Sequence, residues 1–383
     1  PRIFALQRRS AYGTMRHTSK QEEYTMKLHT YPIRSGYDGK QCLVHARCCD
    51  SPYGMIATAQ YLNVAGSDLF SGILMSKSTD GGKSWSEFVP QPGLAPIAEG
   101  RHTTVGCDGT PMYHKKTGKV LLLGHTAQYL PGSLIPNIET RHTFYSVYSP
   151  EEGQFKKMRF LQMPEGYENC GDGCGQSIEL DNGELLIPVY YNTKNENNSY
   201  TMVLRCAFDG ETLTLLEMGN AMTIAVARGL GEPSIIFHDG LYHMTLRNDY
   251  MALVAKSEDG LHYTDLKPWR WDDGSLLDSY NTQQHWMRLG EELYLVYTRR
   301  GANNDHVFRH RAPLFAARVE NMKLVRDSEF AVVPERGARL GNFGVAQLSD
   351  TKAMVMAAEW MQPKGCEAYG SDNTIWACVM ECE

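Results

Sequence analysis

Four segments of this chain begin after a turn glycine and carry a large aromatic or basic side chain seven residues later, where a strand would end. The pairs are Gly118 with His125, Gly183 with Tyr190, Gly240 with Arg247, and Gly290 with Tyr297. A strand end that recurs with a different polar group each time is typical of a ring of similar units sharing one site. The pattern predicts a β-propeller with a binding or active face.

The remainder of the chain follows the same plan. Paired hairpins of short alternating or apolar strands recur at intervals of about 50 residues, and no stretch shows helical periodicity beyond a turn or two. Six units are clear, and the N-terminal segment is available for a seventh. We therefore predict an all-β, seven-bladed β-propeller. The predicted organisation is an N-terminal arm over residues 1–40, which helps to close the ring, and a single propeller domain over residues 41–383.

Bulk composition excludes several classes of partner. The 383 residues carry a net charge of −6, which provides no general attraction to nucleic acid or to anionic membranes. No apolar run approaches the roughly 18 residues of a membrane span. The ten cysteines show no disulfide framework, so we interpret most of them as reduced core residues. The visible N-terminus favours the cytoplasm, with a secreted or periplasmic location left open.

Residues 78–85 fit the pattern S-x-D-x-G-x-[ST]-W. In such a segment the Asp80 carboxylate is expected to accept backbone N–H groups of the turn, and Trp85 is expected to pack back against its blade. Residues 257–263 form a shorter, degenerate copy with tyrosine in place of tryptophan. Both copies predict structural turns on the outside of the blades and carry no chemistry.

The chemistry is expected where equivalent strand ends of several blades converge, because alternate residues of a strand face the same side. His125, Tyr190, Arg247 and Tyr297 are therefore predicted neighbours. Residues 299–311 add many basic and amide side chains, for which we expect a ligand or metal role in part. Arg228 is expected to pair with Glu232.

Basic and aromatic groups outnumber carboxylates around this predicted site. Most glycosidases need two carboxylates, and the available ones form no obvious pair; they are Glu232, Asp249, Asp305 and Glu359. Tyrosine, histidine and arginine suit proton abstraction beside a carboxylate, with arginine stabilising the enolate-like charge and tyrosine or histidine moving the proton. This favours β-elimination of a uronic acid.

Several stretches together resemble one group of propeller enzymes. They are the motif at residues 78–85, known as an Asp box, and GHT, LLIPVYY, VLRCAFDG, MTLRND, SYNTQQHW, YTRRGANNDHVFRHRAPLF and RGARLGNFGV. Across about residues 40–380 the chain resembles sialidase-superfamily (BNR/Asp-box) propellers that include ulvan lyases, L-rhamnose–glucuronate lyases and related L-rhamnosidases. The resemblance implies a seven-bladed β-propeller. The Arg-Ile-Pro signature of sialidases is absent, and no arginine triad with a Tyr–Glu pair is evident.

The resemblance also implies site residues. In the lyases two histidines, a tyrosine and an arginine act in chain order, which here corresponds to His125, His142, Tyr190 and Arg205, with Tyr191 as the alternative tyrosine. In the rhamnosidases a single histidine acts on the opposite face of the propeller, and His45 occupies a similar place. Predicted substrate-binding residues are Arg101, His102, Tyr191, Arg228, Arg247, His285, Arg299, Arg300 and His310.

The preferred hypothesis is an enzyme that cleaves an L-rhamnosyl-glucuronate type of linkage by β-elimination. One alternative is a glycoside hydrolase acting on the same linkage through His45, and another is a non-catalytic glycan-binding propeller. The expected partner is an acidic oligosaccharide or polysaccharide, with no nucleic acid and no membrane. The chemistry requires no cofactor, while a structural or channel metal ion, calcium or zinc, stays unassigned.

Overall fold

Repeated hairpins account for most of the chain. The computed structural model describes residues 13–16, 25–134, 141–167, 169–172, 174–193, 196 and 198–382. Within these residues the strands form six antiparallel sheets that follow one another along the chain, as the blades of a propeller do. The all-β propeller architecture is confirmed. The helical segments are short 3₁₀ turns at Pro92–Leu94, Phe308–His310, Arg326–Ser328 and Cys366–Tyr369.

The first three blades carry the histidine and tyrosine ends predicted above. Blade 1 contains Gln41–Cys49, Met55–Asn63, Phe70–Ser78 and Val89–Pro90. Blade 2 contains Ile97–Glu99, His102–His114, Lys119–Tyr129, Thr143–Ser149, Gln154–Phe155 and Arg159–Phe160. Blade 3 contains Cys170–Gly171, Ile178–Glu179, Leu185–Asn192, Ser199–Phe208 and Leu213–Met218.

The last three blades complete the ring. Blade 4 contains Gly231–His238, Leu241–Arg247, Ala252–Ser257 and Thr264–Pro268. Blade 5 contains His285–Leu289, Glu292–Tyr297, Leu314–Glu320, Lys323–Leu324 and Phe330–Val333. Blade 6 contains Gly13–Arg16, Thr25–Arg34, Phe343–Ser349, Lys352–Ala358 and Ile375–Cys382.

The N-terminal arm does not build a blade of its own among the described residues. Strand Thr25–Arg34 pairs with the C-terminal strand Ile375–Cys382 inside blade 6. The described part of the ring therefore has six blades where the sequence led us to expect seven. An N-terminal strand that joins the last sheet ties the two ends of the chain together, which stabilises a ring held otherwise by contacts between neighbouring blades.

The core lies between the blades as a series of apolar layers. One layer joins blades 2 and 3 through residues such as Leu123, Tyr145 and Ile187. All ten cysteines are free thiols and nine of them are buried, so the interpretation as reduced core residues agrees with the structure. No helix in the described ranges combines the length and the apolar character needed to cross a bilayer.

Both Asp-box turns have the predicted role. In blade 1 Asp80 accepts hydrogen bonds from the Ser84 N–H at 2.9 Å and the Ser84 hydroxyl at 2.6 Å, and the Trp85 indole donates to the Gly82 carbonyl at 2.9 Å. In blade 4 Asp259 accepts the N–H of His262 at 2.8 Å in the same way. Each motif fixes the turn between the third and fourth strands of its blade.

Candidate active site

A cavity of about 590 Å³ lies where the strand ends of several blades converge. His125, Tyr190 and Arg247 all line it, although each belongs to a different blade. Their convergence follows from the shared hairpin geometry, in which the glycine is the last turn residue and the first paired residue comes directly after it, at Lys119, Glu184 and Leu241. Three of the four recurring strand ends therefore meet as the sequence pattern predicts.

The fourth strand end does not reach the cavity. In blade 4 the hairpin joins His238 to Leu241, so that Gly240 is the second of two turn residues. In blade 5 the hairpin joins Leu289 to Glu292, so that Gly290 is the first. This shift by one residue reverses the faces of the strand. Tyr297 is consequently buried in the core, where its hydroxyl donates to Glu329 at 2.7 Å.

Three β-bulges place further side chains in the cavity. The register shifts in the first long strand of blades 1, 2 and 4, at His45, Asp108 and Glu232 respectively. These residues have φ values of 57°, 55° and 45°, which L-amino acids seldom adopt. Each bulge turns its residue towards the cavity. Backbone strain of this kind concentrates at functional sites, and its repetition in three blades marks this face of the propeller.

A buried charge cluster forms the floor of the cavity; we call it the floor cluster, and it comprises His45, Arg47, Asp108 and His125. Asp108 lies 2.7 Å from Nη2 of Arg47, 3.4 Å from Nε2 of His45 and 4.0 Å from Nε2 of His125. Burial opposes ionisation of Asp108, but His45 and Arg47 outweigh it and hold the pKa of this carboxyl well below its usual range. The carboxylate is therefore charged and shared by three groups.

His45 is fixed by its neighbours. Its Nδ1 lies 2.9 Å from Oε1 of Gln60, which also accepts the backbone N–H of Asp108. Because an amide oxygen can only accept a hydrogen bond, Nδ1 of His45 is the donor, and in the neutral imidazole Nε2 carries no proton. The ring packs against Phe70 and Trp360, with centroids at 4.8 and 5.4 Å. Burial lowers the pKa of His45 despite the nearby Asp108.

His125, Tyr190 and Arg141 form a compact group beside the floor. The His125 and Tyr190 rings meet edge to face with centroids 6.2 Å apart, and the Arg141 guanidinium stacks on the Tyr190 ring at 4.4 Å. Gly171 permits this approach, since a Cβ at that position would lie 2.4 Å from Arg141 and 2.6 Å from His125.

The protonation states of this group follow from its surroundings. Burial, assisted by the Arg141 charge, lowers the pKa of His125 to about 3, so its imidazole is neutral at pH 7. Burial raises the pKa of Tyr190 far above its usual value, although Arg141 opposes the shift. The group thus combines a neutral imidazole and a protonated phenol with a permanent positive charge.

A second acid lies buried in this region. Asp172 follows directly after Gly171 and is 2 % exposed, and its Oδ1 has no hydrogen-bond partner among the described residues. Burial raises the pKa of Asp172 to about 8, although Arg47 opposes the rise. This carboxyl is therefore largely protonated near neutral pH, in contrast to Asp108.

Three arginines line another part of the cavity, and we call Arg309, Arg311 and Arg339 the arginine wall. Arg311 donates only to neutral oxygens, at 3.0 Å to the Asn281 carbonyl and 3.2 Å to the Asn342 side chain. Arg339 donates to the Gln362 side-chain oxygen at 3.3 Å. Within the described residues none of the three forms an ion pair. Burial lowers the pKa of Arg339 to about 10, with Asp68 opposing the shift and Arg309 adding to it. Burial, Arg247 and Arg339 lower the pKa of Arg311 well below its usual value, although Glu232 opposes them.

Two other cavity arginines are neutralised, in a pairing that differs from the predicted one. Glu232 forms its ion pair with Arg247, while Arg228 pairs with Asp249 at 2.7 Å. The predicted pair of Arg228 with Glu232 is therefore wrong, because the bulge at Glu232 turns its carboxylate towards the neighbouring strand, where Arg247 lies. Both arginines nevertheless line the cavity as expected.

Two residues predicted to be catalytic lie outside the lining. Tyr190 pairs with Thr201 on the neighbouring strand, and Arg205 lies farther along that same neighbouring strand. Arg205 forms partly exposed ion pairs with Glu184 and Glu217 at 3.1 and 2.5 Å. His142 packs against Phe160 with ring centroids 5.7 Å apart. Its neighbour Arg141 faces the cavity instead, because successive residues of an extended segment point to opposite sides.

Most of the remaining predicted binding residues also lie elsewhere. Tyr191 is buried between Tyr167 and Tyr200, on the strand face opposite to Tyr190. His285 is buried and held by Ser234 and Gln283 at 2.7 and 2.6 Å. Arg299 pairs with Glu329, while Arg300 and His310 both contact Tyr280. Arg101 and His102 lie at the first hairpin of blade 2, outside the cavity lining.

His45 was expected on the opposite face of the propeller from the lyase residues. The structure corrects this placement, because His45 and His125 line the same cavity and approach the same carboxylate. His45, the candidate of one predicted enzymatic alternative, and His125 and Tyr190, candidates of the other, therefore line one cavity.

A metal ion stays an untested prediction. In the portion of the chain that is described, no group of three or more His, Cys, Asp or Glu side chains is arranged to hold one. His306, a candidate within residues 299–311, instead lies 3.0 Å from Glu335.

The fold is a β-propeller, and comparison with known proteins shows that this fold is sialidase-like. A sialidase of Clostridium perfringens is 25% identical over 218 residues, which are 53% of this chain and 54% of that protein. The chain thus spans about half the length of this relative. No protein-family model matches.

Solved structures extend the likeness over nearly the whole chain. A protein of unknown function from Dyadobacter fermentans superposes with a TM-score of 0.65 at 15% identity, covering 93% of this chain and 99% of that one. A Trypanosoma rangeli sialidase in complex with the inhibitor DANA gives 0.60 at 13% identity, over 89% of this chain and 55% of that one. At these identities the likeness shows the fold alone.

Proposed function

We propose that this chain is an enzyme that cleaves an acidic glycan by β-elimination beside a uronate carboxylate, with L-rhamnosyl-glucuronate as the linkage. The observation that carries the proposal is the group formed by His125, Tyr190 and Arg141 inside an arginine-rich cavity. The relatives that are named sialidases, one of them solved with sialic acid, support an acidic sugar as the ligand of such a cavity.

In the proposed reaction Arg141 binds the uronate carboxylate. The negative charge that develops on this carboxylate as the C5 proton leaves is then stabilised by a fixed guanidinium in a partly dry site. The C5–H electron pair forms the C4=C5 double bond, and the C4–O bond breaks. Arg141 takes the role that the sequence had suggested for Arg205.

His125 and Tyr190 divide the proton transfers between them. His125 is neutral and accepts the C5 proton through its imidazole, while Tyr190 is protonated and donates to the leaving oxygen. A carboxylate bound against Arg141 offsets the charge that helps to depress the pKa of His125. Substrate binding is therefore expected to strengthen the base as well as position the acid.

A hydrolase acting through His45 is the second candidate. It is favoured by His45, which lines the same cavity with its Nε2 3.4 Å from the Asp108 carboxylate. In that case hydrolysis replaces elimination: water adds across the glycosidic bond, and the products are free L-rhamnose and a saturated glucuronate. The two candidates therefore differ in one measurable product property, the presence of a carbon–carbon double bond.

The test is an assay of a rhamnosyl-glucuronate substrate for the ultraviolet absorbance of the unsaturated uronate. We expect a rise with the wild-type protein and a rate lower by about 10²- to 10⁴-fold in Tyr190→Phe. Tyr191→Phe is the matched control, because its ring is buried away from the cavity, and it should retain the wild-type rate.

Other outcomes separate the alternatives. Free rhamnose without absorbance, lost in His45→Ala and retained in Tyr190→Phe, would replace the eliminase with the hydrolase. Tight binding of the substrate without any product would identify a glycan-binding propeller.

A further inference from the structure

Gln60 is a buried amide that contacts the floor cluster from outside the cavity. It lies in the second strand of blade 1, is 1 % exposed and is not part of the cavity lining. Its Nε2 donates to the carbonyls of Ser71 at 3.0 Å and Gly106 at 3.2 Å. Two carbonyl acceptors require the amide nitrogen on this side, so Oε1 is the atom that faces His45 and Asp108.

This single oxygen joins two of the three bulges. It accepts the Nδ1 hydrogen of His45, in the bulge of blade 1, at 2.9 Å. It also accepts the backbone N–H of Asp108, in the bulge of blade 2, at 3.1 Å. All four hydrogen-bonding positions of the Gln60 amide are therefore filled. A fully bonded buried amide specifies one arrangement of its neighbours, because other arrangements leave buried polar groups unpaired.

The amide of Gln60 determines which nitrogen of His45 faces Asp108 without a hydrogen. With Nδ1 as the donor, neutral His45 turns the lone pair of Nε2 towards Oδ1 of Asp108 at 3.4 Å, so two acceptors face each other. In the absence of Gln60 the favoured tautomer would carry its hydrogen on Nε2 and donate it to the carboxylate. Gln60 therefore prevents His45 from neutralising part of the Asp108 charge.

The second oxygen of the same carboxylate faces the proposed base. Oδ2 of Asp108 lies 4.0 Å from Nε2 of His125. Burial and Arg141 lower the pKa of His125, and the Asp108 charge opposes them, so the carboxylate makes this imidazole more basic. It also stabilises the imidazolium that forms when His125 accepts a proton. A hydrogen bond from His45 to Asp108 would weaken both effects.

We propose that Gln60 is a positioning residue for proton abstraction: it fixes the tautomer of His45 and thereby leaves the Asp108 charge to act on His125. The kinetic consequence rests on the proposed function, whereas the tautomer is a property of the protein alone. Since Gln60 does not reach the cavity, its substitution should change the rate of the chemical step more than the affinity for substrate.

Nitrogen NMR of protein that contains isotope-labelled histidine reports the tautomer directly. The variant His45→Gln identifies the His45 signals among those of the 13 histidines. We expect hydrogen on Nδ1 alone in the wild type at neutral pH, and a shift of this hydrogen to Nε2 in Gln60→Leu. A wild-type spectrum with hydrogen on Nε2 would overturn the proposal, even if Gln60→Leu fails to fold.

Kinetics on a rhamnosyl-glucuronate substrate test the consequence for the reaction. We expect kcat of Gln60→Leu to fall by about tenfold with KM nearly unchanged, because a weaker base slows proton abstraction. The control is Gln91→Leu, which also removes a buried amide. Gln91 is 3 % exposed, accepts the backbone N–H of Phe155 at 3.0 Å and lies outside the lining.

The kinetic outcomes separate the positioning role from the proposed function. An equal loss of kcat in Gln60→Leu and Gln91→Leu, or a rise in KM alone, contradicts the positioning role. A wild-type protein that forms no unsaturated uronate contradicts the proposed function instead, and the NMR spectra then decide whether Gln60 fixes the tautomer of His45.

Discussion

The floor cluster and the arginine wall face the same cavity but handle charge in opposite ways. In the floor cluster one carboxylate, Asp108, is shared by Arg47 and two histidines at 2.7 to 4.0 Å. In the wall three guanidinium groups have only neutral oxygens and aromatic rings as described partners. The pKa of Asp108 is accordingly depressed by attraction, while those of Arg311 and Arg339 are lowered by burial and mutual repulsion.

This difference separates scaffold from binding surface. A buried carboxylate with its own partners needs no ligand and can hold two imidazoles in fixed positions. The wall arginines form no ion pair among the described residues, so we expect them to contact an anion that binds from solvent. Mutations that remove one charge from either region should therefore change the free energy of unfolding in opposite directions.

The largest effect is expected for Asp108→Ala. Removing the carboxylate leaves Arg47, 1 % exposed, as an unpaired buried charge, which costs about 3–5 kcal/mol in comparable cases. Urea unfolding monitored by tryptophan fluorescence measures the change. Asp350→Ala is the control, because that aspartate is exposed and should cost less than about 1 kcal/mol. If Asp108→Ala lowered the free energy of unfolding no more than the control does, the distinction between the floor cluster and the arginine wall would be contradicted.

Asp172→Asn tests, through pH, the buried acid that lies near the floor cluster. The pKa of Asp172 is about 8 in the folded protein against a usual value of 3.8, so its contribution to stability is fully present below pH 3.8 and is lost as pH rises towards 8. Between pH 5 and pH 8 wild type should lose up to about 4 kcal/mol relative to Asp172→Asn, whose amide cannot ionise. The exposed control Asp239→Asn should leave the pH dependence unchanged. Parallel stability curves for wild type and Asp172→Asn would show that this carboxyl is ionised in the folded state.

The smallest effect, and one of opposite sign, is expected in the wall. Arg339→Met keeps the aliphatic stem against Trp360 and removes an unpaired charge, so stability without ligand should stay equal or rise by about 1 kcal/mol. The same variant should bind acidic disaccharides more weakly, which calorimetry measures. Destabilisation as large as that of Asp108→Ala would mean that the wall is structural.

Blades 2 to 4 show how far local sequence patterns reach. The turn glycine and the residue seven positions later identified His125, Tyr190 and Arg247, because hairpin geometry fixes the face on which a side chain lies. The same rule failed for Tyr297, since the turn of blade 5 places its glycine one position earlier. A one-residue difference in a turn is invisible to a rule based on spacing alone.

The rest of the site depends on features without a sequence signal. Asp108-Gly109 is typical of a hairpin turn, yet here it forms a bulge within a strand. Arg141 and His142 are neighbours of which one faces the cavity, and sequence order does not indicate which. The arginine wall is assembled from separate connections of blades 5 and 6, so only the closed ring brings its members together.

The most direct test of the proposed site is a crystal structure of the Tyr190→Phe variant with a glucuronate-containing disaccharide. We predict the uronate carboxylate on the Arg141 guanidinium, with C5 facing Nε2 of His125 and the leaving oxygen beside the edge of the substituted aromatic ring. A sugar bound with its carboxylate away from Arg141, or at the other mouth of the channel, would contradict the proposed chemistry.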